Sequence, residues 1–377
     1  MITGADALNS ASEHLKKAGG KALIVTDPTM VKVGNVKLVT DLLDSLGKGY
    51  AVYDGVTGEP TDTMVREGKR IYLENGCDFL VAVGGGSPID TMKAIGAMIT
   101  NPGEITDYLG RTIPNAPPVT VAVPTTAGTG SEATQFTIIT DTKRRIKMLL
   151  KGESLIPSVA VVDYRFSMTA PPKVTAATGL DALCHAVESY TSRKAQPVSD
   201  LFAVDAVKKI FRYLPRAFEN GSDEEAREAM SLAALEAGIA FNNSSVTIVH
   251  GMSRPIGALF HVPHGLSNAM LLPACLKFAL PGAPERFAAL AAAIGACPAG
   301  TSEAEAGAAF VRKTEELCAT LEIDTPASFG IDRAAYFESI DKMTEDAVAS
   351  GSPANTIREV AAEEIREIYR SLWKGVS

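Results

Sequence analysis

The chain of 377 residues is 46% hydrophobic, 21% charged and 6% aromatic, which excludes a disordered or fibrous polypeptide and, at roughly 100–200 residues per domain, predicts two or three domains. Its 36 Lys and Arg against 44 Asp and Glu leave a net charge of −8, which argues against a broad phosphate-binding surface and hence against a nucleic-acid partner. Five scattered cysteines (Cys77, Cys184, Cys275, Cys297 and Cys318), with no C-x-x-C pair, fit reduced thiols in a cytoplasmic protein. Residues 1–20 lack the apolar core of a signal peptide, and no apolar run reaches about 18 residues, so no membrane partner is expected.

Up to about residue 165 two periods alternate. Short apolar runs at 22–26, 50–53, 79–83, 120–123 and 159–162 read as buried strands, and 3.6-residue patterns at 31–46, 63–75 and 88–99 read as helices between the early ones. Fully apolar strands alternating with helices predict a mostly parallel sheet covered on both faces, with ligands beyond the carboxyl ends of its strands. After about residue 175 the strand signal stops. Ala-, Leu- and Glu-rich helical stretches follow at 179–191, 199–213, 223–240, 284–294, 302–321 and 361–373, with Pro171-Pro172 and Ala283-Pro284-Glu285 as punctuation. The pattern predicts an α/β N-terminal domain over 1–175 and an all-α C-terminal domain over 176–377, with a cleft between them as the default site.

Two loops begin where apolar strands end. Gly84-Gly85-Gly86-Ser87-Pro88-Ile89-Asp90 opens a helix, so its backbone N–H groups and the positive end of the helix dipole could meet a phosphate. It is not the G-x-G-x-x-G fingerprint, and taken alone it reads equally as a tight strand-to-helix turn. Pro124-Thr125-Thr126-Ala127-Gly128-Thr129-Gly130-Ser131-Glu132 crowds hydroxyls and glycines, as where a chain wraps a polar ligand. Taken alone it reads as a solvated loop; two such loops at one sheet edge favour a ligand.

Four of the five histidines fall in two short segments of the helical half. Asp181 and His185 stand at i and i+4 on one helical face, with Glu188 three residues on as support. His250, His261 and His264 follow within His250-Gly251-Met252-Ser253-Arg254-Pro255 and His261-Val262-Pro263-His264-Gly265. A carboxylate oxygen with several neutral imidazoles suits a divalent transition metal, Fe(II) or Zn(II).

In combination these segments, with Val25-Thr26-Asp27, Tyr53-Asp54-Gly55-Val56 and Ala177-Thr178-Gly179-Leu180-Asp181-Ala182, resemble the iron-dependent (group III) alcohol dehydrogenases over essentially the whole chain. The resemblance implies a dinucleotide-binding α/β domain, a helical metal domain, and NAD(P)-dependent interconversion of alcohols and aldehydes. It implies Asp181, His185, His250 and His264 as ligands of a divalent ion that polarises the substrate oxygen. It implies that Gly84, Gly85, Gly86, Ser87 and Asp90 bind the cofactor, the first four at its pyrophosphate, that Thr125, Thr126 and Thr129 line the cofactor path, and that Lys147 reaches a ribose. Asp27 would accept from the adenosine ribose and repel a 2′-phosphate, favouring NAD(H) over NADP(H). A homo-oligomer, a dimer or larger, is also implied.

Two residues depart from the family pattern. Arg254 stands four residues after His250, where many members carry a histidine assigned to the proton path; arginine cannot serve as a base, so His261 is the replacement expected to relay the proton. Glu59 stands where the family commonly has Asn, which puts one cofactor contact in question. A guanidinium near the metal is expected to pair with an anionic tail on a short aldehyde, of the sulfoacetaldehyde or semialdehyde type, unless a neighbouring carboxylate takes it. The competing expectations are a neutral-substrate alcohol, lactaldehyde or diol dehydrogenase, a zinc-dependent glycerol-dehydrogenase-like enzyme, and a metal- and nucleotide-binding sensor without turnover.

Overall fold

Each of the five apolar runs becomes a strand in the computed structural model, which describes residues 1–373. The chain divides into two compact units, Met1–Ala170 and the residues from Pro171 on. In the first, β1 (Ile2–Thr3), β2 (Lys21–Thr26), β3 (Gly49–Tyr53), β4 (Phe79–Gly84), β5 (Thr120–Pro124) and β8 (Val159–Val162) form one sheet in the order β1-β8-β5-β4-β2-β3. Every pairing in it is parallel. Alternate residues of each strand serve opposite faces. Leu23, Val25, Leu80, Ala82 and Ala122 join a core with Ile89, Met92 and Ile95 of the helix Gly86–Thr100. Ala22, Ile24, Val81, Val83, Val121 and Val123 join one with Leu15, Val39 and Leu43.

This strand order positions the loops. Thr26 pairs with Val83 across β2 and β4, and Gly84 pairs with Pro124 across β4 and β5. Asp27, the glycine loop and the threonine loop therefore leave three adjacent strands at the same edge.

Several features of this unit differ from the sequence reading. The single helix expected over 31–46 is two, Pro28–Lys32 and Asn35–Ser45, because Gly34 takes a left-handed conformation with φ 89° between them. A hairpin of β6 (Phe136–Asp141) and β7 (Ile146–Lys151) was not anticipated; it pairs antiparallel and buries Ile139, Met148 and Leu150 against the Gly86–Thr100 helix. β1 is too short to carry a pattern of its own.

The Gly86–Thr100 helix is bolted to the segment that follows the threonine loop. Asp90 accepts from Ser131 Oγ at 2.6 Å and from the Ile138 N–H at 2.8 Å. One turn on, the three donors of the buried Lys93 ammonium are shared among Ser131 Oγ, Thr134 Oγ1 and the carbonyls of Thr134 and Phe136, all at 2.9–3.1 Å. Burial lowers Lys93 to about 8 despite Asp90 and Glu132 nearby.

The second unit is helical. Its longer helices are Pro172–Tyr190, Pro197–Glu219, Glu224–Asn242, Ile248–Phe260, His264–Ala279, Pro284–Ala293, Glu303–Thr320, Ile340–Ala349 and Ala362–Leu372. The first begins seven residues earlier than expected, since Pro172 occupies a first-turn position where its missing N–H costs nothing. Ile248–Phe260 and His264–Ala279 were not read as helices: Gly251, Pro255 and Pro273 interrupt their patterns, and tertiary burial outweighs the local preference. No helix among the described residues is long and apolar enough to cross a membrane.

Glu132 gives the first unit a pH signature. Burial raises its carboxyl from 4.5 to about 7, so between those values the folded chain keeps a proton that the unfolded chain has lost, and stability falls as pH rises. Urea unfolding is expected to show the native protein losing stability relative to Glu132→Gln as pH rises through that window; a constant difference contradicts the assignment.

Candidate metal centre

Three helices of the second unit bring four of the expected residues together. Asp181 and His185 come from Pro172–Tyr190, His250 from the first turn of Ile248–Phe260, and His264 from the start of His264–Ala279. One ligand atom from each lies within 4.8 Å of the others. His250 Nε2 is 2.9 Å from His185 Nε2 and 3.6 Å from Asp181 Oδ1, and His264 Nε2 is 3.8 Å from the same oxygen. Asp181, His185 and His250 are buried, and of the four only His264 is partly exposed, its side chain at 31%.

The close approach of the third helix depends on Gly265. A Cβ there would meet the Ala177 carbonyl oxygen at 2.7 Å, so any larger residue would push His264 away from Asp181.

Glu188 sets the second helix. Its Oε1 accepts from the Val249 N–H at 2.7 Å, the Thr247 N–H at 3.0 Å and Thr247 Oγ1 at 2.8 Å, which caps a helix whose own N-cap residue makes no side-chain cap. Its Oε2 accepts a hydrogen bond from His250 Nδ1–H. That bond leaves His250 Nε2 with a lone pair aimed at His185 and Asp181. The His185 ring is clamped by stacking on Phe241, with centroids 4.3 Å apart and planes inclined by 17°.

The charge states suit a cation. Burial, reinforced by the imidazoles of His185 and His264, holds His250 well below its ordinary value, so it is neutral and able to donate. Burial works to raise Asp181, yet the three imidazoles and the Asn268 amide keep its carboxyl low and ionised. A carboxylate oxygen facing three imidazoles in a largely buried pocket is an electron-rich donor set, and the residues present fit a divalent transition metal.

Arg254 lies one turn after His250, on the same helical face. It is half-buried, and its charge adds to the lowering of His250. Nη1 donates to Ser352 Oγ at 3.1 Å, whereas Nε is buried without a hydrogen-bond partner. No carboxylate among the described residues is within ion-pair distance of it. His261 stands apart, exposed at the left-handed C-cap of its helix with φ 56° and outside the four-residue group.

The expected cofactor residues lie in the first unit. The Gly86–Thr100 helix starts at N-cap Gly85 with no side-chain cap, which leaves its first N–H groups, including that of Ser87, open to an anion. A Cβ on Gly86 would meet Thr129 Cγ2 at 2.9 Å and one on Gly85 would meet Thr126 Oγ1 at 3.2 Å, so the two loops pack on each other at positions that tolerate only glycine or a small shift. Thr125 is buried, and its N–H donates to the Gly84 carbonyl. The carboxylate of Asp27 caps the helix Pro28–Lys32 through one oxygen, accepting from Thr29 and Met30 N–H. Lys147 Nζ pairs with Glu59 at 3.0 Å, which ties the residue expected at a ribose to the one that departs from the family pattern. Asp90 turns its carboxylate to Ser131 and Ile138, toward loop architecture.

Comparison with known proteins identifies the family. Residues 1–164 match the iron-containing alcohol dehydrogenase family, and residues 175–373 match the C-terminal part of the Fe-containing alcohol dehydrogenase family. The chain is 37% identical over 373 residues to the NAD-dependent methanol dehydrogenase of Bacillus methanolicus, covering 98% of this chain and 97% of that one. A crystal structure of 1,3-propanediol oxidoreductase superposes with a TM-score of 0.95 at 37% identity, covering 98% and 97%. Sulfoacetaldehyde reductase from Bifidobacterium kashiwanohense, solved in complex with NAD+, superposes with a TM-score of 0.86 at 28% identity, covering 100% and 98%. The chain belongs to the iron-containing alcohol dehydrogenase family. It is an oxidoreductase of alcohols and aldehydes.

Sequence reasoning singled out the four converging side chains and Glu188, but not Asn268, Lys93 or Ser352. Asn268 is four residues after His264 and would have been found had 264–279 been read as a helix. Lys93 and Ser352 gave no local signal, because their partners are distant in the chain.

Glu188→Gln is expected to weaken metal binding by about 10–100-fold, because an amide facing Nδ1 no longer fixes the tautomer. Competition against a chromophoric chelator measures this; an unchanged constant in a folded variant contradicts the role given to Glu188.

Proposed function

We propose that the protein reduces a short aldehyde to its alcohol with NADH, and runs the reverse reaction with NAD+, using a divalent ion held by Asp181, His185, His250 and His264. The convergence of those four donors within 4.8 Å carries the reading. An ion there, Fe(II) with Zn(II) as the alternative, would polarise a carbonyl oxygen as a Lewis acid and lower the pKa of an alcohol. The redox chemistry is the cofactor's, and the protein's part is binding and orientation.

In this reading the open N–H groups of Gly85, Gly86 and Ser87 receive the pyrophosphate next to Gly84, supported by the uncapped start of their helix. Thr125, Thr126 and Thr129 line the cofactor path beside them, and Asp90 braces both loops. Asp27 disfavours a 2′-phosphate by like charge, hence NAD(H) over NADP(H). Lys147, oriented by Glu59, reaches a ribose. The solvent-exposed His261 exchanges the proton that balances aldehyde, NADH and H+ against alcohol and NAD+.

The substrate carries an anionic tail of the sulfoacetaldehyde or semialdehyde type. Support comes from Arg254: a half-buried guanidinium with one hydroxyl partner, and no carboxylate at ion-pair distance among the described residues, has donors left for an oxyanion.

NADH oxidation by the iron-loaded enzyme, followed with charged and neutral aldehydes of equal length, tests both levels. Arg254→Gln is expected to lower kcat/KM about 10- to 100-fold for the anionic aldehyde and less than about threefold for the neutral one. Equal losses for both remove the anion seat; no oxidation with any aldehyde removes the oxidoreductase reading and favours a sensor.

A further inference from the structure

A fifth side chain faces the four converging donors. Asn268 is fully buried one turn after His264. Its Nδ2 lies 2.6 Å from Asp181 Oδ1, 3.1 Å from His250 Nε2 and 3.2 Å from His264 Nε2. Its Oδ1 is buried without a hydrogen-bond partner. One NH2 group carries two hydrogens and cannot satisfy three acceptors, and turning the amide over would set its oxygen against a carboxylate oxygen. The orientation is therefore set by the charge on Asp181, even at the cost of an unpaired carbonyl.

We infer that Asn268 is a positioning residue for the metal: its N–H occupies one lone pair of Asp181 Oδ1 and steers the other into the space faced by the imidazoles. A carboxylate oxygen has two such pairs, and without a donor on the first the carboxyl group is free to rotate and offer both oxygens. The contact to Asp181 is charge-assisted and the shortest of the three, so it is the one that persists when a cation takes the ring lone pairs. Asn268 thereby selects one-oxygen ligation by Asp181, which none of the four donors can enforce for itself. The inference rests on the reading of these donors as a metal site.

Cobalt(II) titration of the metal-free full chain, read by the visible d–d bands and by chelator competition, tests it. Asn268→Leu, which removes the donor, is expected to weaken cobalt binding about 10–100-fold. Asn268→Asp keeps the shape but not the N–H, and is expected to shift the bands even where the protein is as stable as the native one. A native binding constant for the Leu variant, or native bands for the Asp variant, in a protein with native far-ultraviolet circular dichroism overturns the inference. Failure of the native chain to take up cobalt overturns the underlying metal reading instead, so the two failures are distinguishable.

Discussion

The carboxylate of Glu188 performs two tasks that depend on each other. Through Oε1 it satisfies the free N–H groups at the start of the helix Ile248–Phe260, and through Oε2 it fixes the proton on His250 Nδ1. The same anchor that seats the helix thus decides which ring nitrogen of its histidine faces Asp181 and His185. Burial raises Glu188 to about 7, while the Thr247 and Val249 bonds oppose that rise. A buried carboxylate is tolerated here because both oxygens are bonded.

Around this anchor the donors are held by packing as much as by hydrogen bonds. Phe241 clamps His185, Gly265 lets His264 approach, and Asn268 bonds Asp181. The three helices supply a carboxylate and three imidazoles without calling on any cysteine; Cys184 and Cys275 are buried, and burial pushes both thiols well above their ordinary value, away from the thiolate that binds metals. In the other unit, the parallel register brings Asp27, Gly84 and Thr125 to adjacent strand ends, and Asp90 with Lys93 locks the two loops together. Side-chain economy is similar in both places: a few buried polar groups, nearly all bonded, position backbone or ring nitrogens for a ligand.

Much of this was legible in the sequence because it is local. Apolar runs such as 79–83 mark buried strands whatever they pack against, and Asp181 with His185 lie on one face by helical spacing alone. What was not legible depends on distant partners or on context that outweighs local preference. Pro255 and Pro273 hid two helices that tertiary burial sustains, and Gly34 split a helix that an apolar pattern alone would join. Burial alternates along β6, but polar Thr137 and Asp141 take buried positions while Phe136 and Ile138 are half-buried, so the apolar pattern does not show the strand. Whether Arg254 meets a carboxylate was undecidable from spacing; the fold surrounds it with Ser352 and leaves Nε unpartnered.

The central claim is that one divalent ion is bound by Asp181, His185, His250 and His264. X-ray absorption at the iron edge of the Fe(II)-loaded protein tests it most directly. Ligation by these four residues gives a nearest shell of nitrogen and oxygen alone, with outer-shell scattering from three imidazoles. Sulfur in the nearest shell, or the absence of imidazole scattering, would contradict it.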